Sequence, residues 1–342
     1  MAEEEVPLTK ERLFTMMAGY KATAVLRACV ELELFDPLAD GPADAATLAR
    51  RLGVDERALS ALLAAAAGVG LLARGDNGYA LPAGAAELLV TSEPGYCAGI
   101  SSVVASQLEW TALGSLAGTV RRGGPVPGFD LLAPDFPYWT DFATHSTFVT
   151  TVLSGLVADA LADFATGRDS LDVLDLGAGH GIFGWTLAQR YPAAHVWAQD
   201  WPGVLAVAQQ HAKRRGVADR ATLLPGDARS TDLGGPYDVV VAANLLFHFS
   251  PTQADQLVSR AASVLKPDGR LVVAGFTTGD QPAPVEGHAA LLGLLMLSAT
   301  EGGAMYSTAQ YQEMLAAAGL TESTVHTRPK LVPRVIVAHR PA

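Results

Sequence analysis

Glycines and three aspartates in the second half of the chain carry the first readable chemistry. Asp172–Gly181, DVLDLGAGHG, reads as a strand running into the loop Gly177-Ala178-Gly179-His180-Gly181, followed by a helix from Ile182 to Tyr191. In an open parallel sheet a ligand sits beyond the carboxyl ends of the strands, and glycines let the backbone approach it closely. Gly179, Gly181 and Gly184 also satisfy GxGxxG, a dinucleotide spacing, but the first glycine after the strand is Gly177, and from it the spacing is GxGxG. Asp175 puts a negative charge at the mouth of the loop, which disfavours a pyrophosphate and suits a ligand carrying an ammonium and a sulfonium. S-adenosylmethionine (SAM) is such a ligand, so the charge pattern favours it over NAD. Asp200 ends the next strand, about 20 residues beyond the loop, where a carboxylate accepts hydrogen bonds from ribose hydroxyls. Asp227, in Pro225-Gly226-Asp227-Ala228, follows the third strand and is placed to accept the exocyclic amine of adenine. Each aspartate alone is also a common helix cap or turn residue, so the combination carries the reading.

His248 lies in Asn244-Leu245-Leu246-Phe247-His248-Phe249-Ser250-Pro251, just past the fourth strand. Methyl transfer to a hydroxyl needs an aligned nucleophile and a group that takes its proton. Imidazole, with an ordinary pKa of about 6.5, suits that task near neutrality. The other reading is a histidine packed between Phe247 and Phe249, bonded to backbone and inert. His180 reads either as a cofactor neighbour or as a solvated turn residue. None of the eight histidines forms an HxH or HExxH pattern, so no metal site is expected.

These residues need a scaffold, and the pattern from Leu171 onward supplies alternating strands and helices, the mark of a parallel sheet with crossover helices. Strands are expected at 172–176, 195–199, 221–224, 238–243, 270–276, 322–327 and 334–339. Upstream, Tyr138–Phe164 reads as one helix with Trp139, Phe142, Phe148 and Leu153 near one face, a stripe that suits core more than pocket. Arg121–Pro137, rich in Gly and Pro, reads as a linker. A long helix is expected over Lys10–Leu34. Asp44–Pro82 reads as helix, turn at Gly53, helix, and two short strands joined at Asp76-Asn77-Gly78, the order of a winged helix. Its second helix carries Arg57 as its only cation on an apolar surface, which argues for burial and against DNA.

Composition narrows the partners. At 342 residues and 49% hydrophobic, the chain is expected to fold as two domains, and its net charge of −11 opposes binding to nucleic acid. Cys29 and Cys97 lack metal-ligand spacing and read as free thiols in a reducing compartment. The acidic start MAEEEVPLTKERLF does not resemble a signal peptide, and the apolar run Ala289–Ala299 is shorter than a membrane span. No membrane association and a cytoplasmic location are expected.

The series Asp175–Gly181, Asp200, Gly226-Asp227, Tyr237-Asp238-Val239-Val240 and Lys266-Pro267-Asp268-Gly269-Arg270-Leu271, behind a winged-helix-like front, resembles the class I SAM-dependent O-methyltransferase family of plant phenolic enzymes and bacterial secondary-metabolite and hydroxyneurosporene methyltransferases. The resemblance implies an α/β fold in three parts. These are a winged-helix-like dimerisation domain (1–105), a helical connector lining the acceptor pocket (106–165) and a doubly wound, Rossmann-like, seven-stranded methyltransferase domain (166–342). It implies SAM as cofactor, held by Asp175, Gly177, Gly179, Gly181, Asp200, Trp201, Asp227, Ala228 and Asn244, with His248 as base. It also implies an intertwined homodimer with Met16, Met17 or Tyr20 near a partner's pocket. The acceptor would be a small, largely apolar secondary metabolite of the antibiotic-biosynthesis kind, methylated at a hydroxyl or carbon. Phe142, His145, Phe148, His288, Met296 and Met305 are its expected pocket.

One departure stands out. Plant members orient the base with two acidic residues, which would fall near Gly275 and Met305, and neither position is acidic here. Glu301 is the candidate to reach in, with Asp255 and Glu286 behind it. A base without an orienting carboxylate is less effective. That leaves open an acidic phenol, a carbon nucleophile, or an enzyme of this fold that binds SAM while catalysing decarboxylation, hydroxylation or a pericyclic step.

Overall fold

Capping chemistry legible in the sequence sets the helices of the first compact unit, residues 1–107. Asp44 accepts from the Thr47 amide to start Ala45–Leu52, Gly53 closes that helix at φ 69°, and Asp55 accepts from the Ala58 amide to start Glu56–Gly68. Strands β1 (Ala73–Gly75) and β2 (Gly78–Ala80) pair antiparallel around Asp76-Asn77. Leu48, Leu59, Leu63 and Leu72 pack with Cys29, Leu34 and Phe35, at and just beyond the end of the Lys10–Glu31 helix. The other end of that helix leaves Leu13, Phe14, Met16, Met17 and Tyr20 exposed. This computed structural model describes residues 7–128, 130–133, 136–279, 283–329 and 331–342, without the side chains at 149 and 283–285. The acidic segment 1–6 and positions 129, 134 and 135 of the expected linker lie outside the described residues.

The second unit, residues 108–342, is built on seven strands: β3 (Leu171–Leu176), β4 (Ala194–Asp200), β5 (Ala221–Pro225), β6 (Tyr237–Ala243), β7 (Leu265–Gly275), β8 (Thr321–His326) and β9 (Arg334–His339). Their order is β5-β4-β3-β6-β7-β9-β8, parallel except for β9, which runs antiparallel to both neighbours. Side chains alternate across the strands. Val173, Val239, Val241 and Val272 accordingly join a core with Val157 and Trp185 on one face. Leu174, Val240, Leu271 and Val273 join a second core with Leu257, Val258 and Leu315 on the other. The sheet order reverses at β3, so the crevice beyond the carboxyl ends of β3, β4 and β6 is where this architecture binds ligands.

Two expectations need correction. Strand β7 starts at Leu265 rather than 270, because Tyr237 pairs with Leu265 before a register shift. The single helix expected over 138–164 is three: Pro137–His145, Thr147–Ala160 and Ala162–Ala165. Ser146 closes the first of them, its Oγ donating to the Phe142 carbonyl at 2.6 Å. Residues on either side of this break no longer share a face.

Candidate active site

The glycine loop works as a backbone cradle. Gly177, Gly179 and Gly181 sit at φ 64°, 56° and 76°, a region that disfavours residues with a Cβ. A Cβ on Gly177 would fall 2.7 Å from the Leu245 side chain, whereas at Gly179 it would meet nothing within 4 Å. Gly184 has a different purpose. A Cβ there would lie 2.6 Å from Val196 Cγ1, so the third glycine of the apparent GxGxxG permits close packing of helix Ile182–Arg190 on β4.

Asp175 is not at the mouth of the loop. It is 1% exposed and accepts a 2.9 Å bond from the Gly184 amide, so it ties the helix start to β3 from beneath. Burial, opposed by that bond and helped by the nearby Asp200 charge, raises its pKa to about 7. Asp200 does line the cavity that opens beyond the sheet. Its Oδ2 accepts from the Gly179 amide and its Oδ1 from the Trp201 amide, both at 2.7 Å. Burial raises its pKa to about 6 against those bonds. A carboxylate has about four lone-pair sites, so acceptor capacity remains for two further hydroxyls.

The cavity together with its open mouth spans about 880 Å³. Gly177, Gly179, Asp200, Trp201, Asp227, Ala228, Asn244 and His248 line it together, as does Phe142. Asp227 is committed to an ion pair: the Arg229 guanidinium reaches its Oδ2 at 2.6 Å, and its pKa is lowered by that partner despite partial burial. Asn244 sits at φ 49°, and among the described residues its buried Oδ1 has no hydrogen-bond partner. The Oδ1 lies 2.9 Å from where a Cβ on Gly275 would stand. An open glycine wall, a carboxylate with acceptor capacity and an orphaned amide oxygen fit the adenosyl, ribose and amino-acid parts of SAM.

His248 is 8% exposed, and its ring meets Trp139 edge-on at 5.0 Å and Phe247 at 4.5 Å. Its Nδ1 is 2.9 Å from the Leu245 carbonyl, which can only accept, so Nδ1 carries the proton of the neutral ring. Among the described residues Nε2 has no protein partner, and the residue lines the cavity. Burial lowers the pKa to about 4, partly offset by the Leu245 bond. Glu301 is exposed and does not line the cavity, so the Leu245 carbonyl holds the ring where a carboxylate was expected. Asp255 is exposed, and Glu286 accepts from the Gly279 amide.

The expected acceptor pocket is only partly assembled. Phe148 is 42% exposed, beyond the break at Ser146. His288 is exposed beside Phe276, and His145 is half-buried outside the cavity. Met296 and Met305 pack with Leu131, Trp139 and Phe247 in an apolar cluster adjoining the cavity. Residues the sequence reading passed over line it instead. Trp139, assigned to core, donates from its indole N–H to the Leu131 carbonyl. Arg229 follows Asp227 by two residues, and Gln199 Nε2 bonds the Gly226 carbonyl at 2.6 Å. The spacing of Trp139 from Phe142, one helical turn, was the available signal for the first. Among the described residues no group of three metal-ligating side chains occurs.

Residues 173–269 match a family profile described as a methyltransferase domain, and residues 14–92 match an O-methyltransferase dimerisation domain. The chain is 30% identical to an acetylserotonin O-methyltransferase of Mus musculus molossinus, over 90% of this chain and 83% of the relative. It is 28% identical to the 3-hydroxy-5-methyl-1-naphthoate 3-O-methyltransferase of Streptomyces sahachiroi, over 91% and 89%. A solved structure of PigF with SAH superposes with a TM-score of 0.82 at 25% identity, covering 97% of this chain and 100% of the other. A PigF of Serratia sp. is named an S-adenosyl-L-methionine-dependent methyl transferase.

Proposed function

The chain belongs to the SAM-dependent O-methyltransferase family and is a SAM-dependent methyltransferase, and from that premise we propose that it methylates a phenolic hydroxyl of a small, planar secondary metabolite, with His248 as general base. The observation that carries this reading is the fixed tautomer of His248: Nδ1–H is held by Leu245, and the Nε2 lone pair is left for the acceptor.

When bound, SAM supplies a methyl group activated by a sulfonium. Asp200, with its remaining lone pairs, takes the ribose, and Asp227 and Ala228 border the adenine. Gly177 and Gly179 let the backbone approach the cofactor, whereas Gly181, expected beside them, does not line the cavity and leaves room for the Trp185 ring instead; Trp201 walls the cofactor, and the unpaired Asn244 oxygen offers an acceptor at the same end as His248. Trp139 and Phe142 flank the acceptor side and exclude water. His248 Nε2 receives the hydroxyl proton, and the Leu245 carbonyl stabilises the imidazolium that results.

Magnitudes select the acceptor. Against a base held at about 4, a phenol near 10 lies about six pKa units uphill, about 8 kcal/mol. An aliphatic alcohol, near the 15.7 of water, would add about another 8 kcal/mol. Relatives named for a hydroxynaphthoate and for tetracenomycin support an aromatic acceptor. Segment 108–165 would contribute to its pocket, and exposed Phe14, Met17 and Tyr20 in the dimerisation segment would meet a second copy. Free Cys29 and Cys97 suit a reducing cytoplasm, and no described helix is long and apolar enough to cross a membrane.

The test is a panel of phenols and matched aliphatic alcohols incubated with SAM. Methyl ethers of phenols only are expected; equal turnover of the alcohols would refute the assignment of acceptor and base.

A further inference from the structure

His180 is the one long side chain in the glycine loop, and the transfer chemistry makes no use of it. It is 3% exposed, lines the cavity, and has both ring nitrogens engaged. The Ile182 amide lies 3.1 Å from Nδ1 and can only donate, so Nδ1 is unprotonated and the proton of the neutral ring is on Nε2. Nε2–H then donates to Thr150 Oγ1 at 3.0 Å, and the Thr150 hydroxyl passes its own hydrogen to the Thr147 carbonyl at 2.9 Å. The result is a fully satisfied chain of bonds from the loop to helix Thr147–Ala160.

Three glycines in five residues make such a loop entropically costly to hold in one shape. Its other ties run to the β4 end: Ala178 amide to the Gln199 carbonyl at 2.9 Å and Gly179 amide to Asp200 at 2.7 Å. Among the described residues, only His180 ties it, by a side chain, to the helical side of the cavity. The two helices involved do not depend on that bond. Ser154 Oγ meets Thr186 Oγ1 at 3.0 Å, and Tyr191 donates to the Ala158 carbonyl at 2.6 Å, further along the same contact. Loss of the Thr150 hydroxyl should therefore release the loop while the helices stay packed.

We propose that His180 is a positioning residue that acts through Thr150, holding the glycine loop in its cofactor-ready shape and thereby setting cofactor affinity. The proposal rests on the reading of this loop as the SAM site. Thr150→Val keeps the side-chain shape and leaves the buried Nε2–H without an acceptor, which should raise the Kd for S-adenosylhomocysteine about tenfold by calorimetry. Thr150→Ser retains the hydroxyl and should bind within about twofold of wild type. In a His180→Ala background, Thr150→Val should add little further loss, because the two residues act as one unit. The fall in kcat at saturating SAM should be smaller than the rise in KM for SAM. Wild-type affinity in Thr150→Val, or additive losses in the double variant, would overturn the proposal. A wild-type protein that binds SAM but not through this loop, shown by unchanged affinity in Asp200→Ala, would overturn the underlying site reading instead.

Discussion

The lone pair on His248 Nε2 is the residue-scale basis of the proposed chemistry, and burial decides when it is available. A ring held at about 4 stays neutral through the physiological range. Protonation removes the acceptor, so with SAM saturating, kcat/KM for the acceptor should fall as pH drops through about 4 and show no inflection near the ordinary histidine value of about 6.5. A break at 6–7 in that profile at saturating SAM would contradict a buried, Leu245-held base. Replacing His248 with Ala should lower the rate by roughly 10²–10⁴-fold while leaving cofactor binding nearly intact. The pKa of Asp200 is shifted the other way. Its pKa is raised to about 6, and only the ionised form offers all its acceptor sites to the ribose and an attractive charge to the sulfonium. Affinity for SAM should therefore strengthen as pH rises through about 6, and Asp200→Asn should flatten that dependence in calorimetry.

At the scale of elements, the start of helix Ile182–Arg190 shows how packing and site are joined. Gly184 leaves room for Val196 and donates to Asp175. Gly184→Ala should cost about 1–3 kcal/mol through overpacking, read as a lower thermal midpoint. The seven strands were legible because alternation and the turn residues between them are local signals, and the GxGxG loop was legible because glycine at positive φ has few substitutes. The depth of Asp175 was not, since a strand-end aspartate reads the same whether it faces a ligand or a helix amide. The break at Ser146 was hidden because apolar residues recur at helical spacing on both sides of it, although the Ser, Thr and Val residues around it are weak helix formers. For the same reason Phe148 was grouped with Trp139 and Phe142, though only the latter two line the cavity. The substitute for the missing acidic pair was unreadable in principle, because a backbone carbonyl three residues before His248 has no side-chain signature.

At the scale of the whole molecule, the matched dimerisation segment and the exposed apolar helix end are the basis of the proposed self-association. Light scattering should give twice the chain mass, and Phe14→Asp with Met17→Asp should shift it toward the monomer. The account as a whole depends on the methyl group leaving SAM for an acceptor oxygen under the control of His248. The most direct measurement follows a methyl-labelled SAM with a phenolic acceptor in wild type and in His248→Ala. Label in an aryl methyl ether, with its rate reduced at least about a hundredfold in the variant, is the predicted result. Acceptor converted without label, or equal labelling by both proteins, would contradict it.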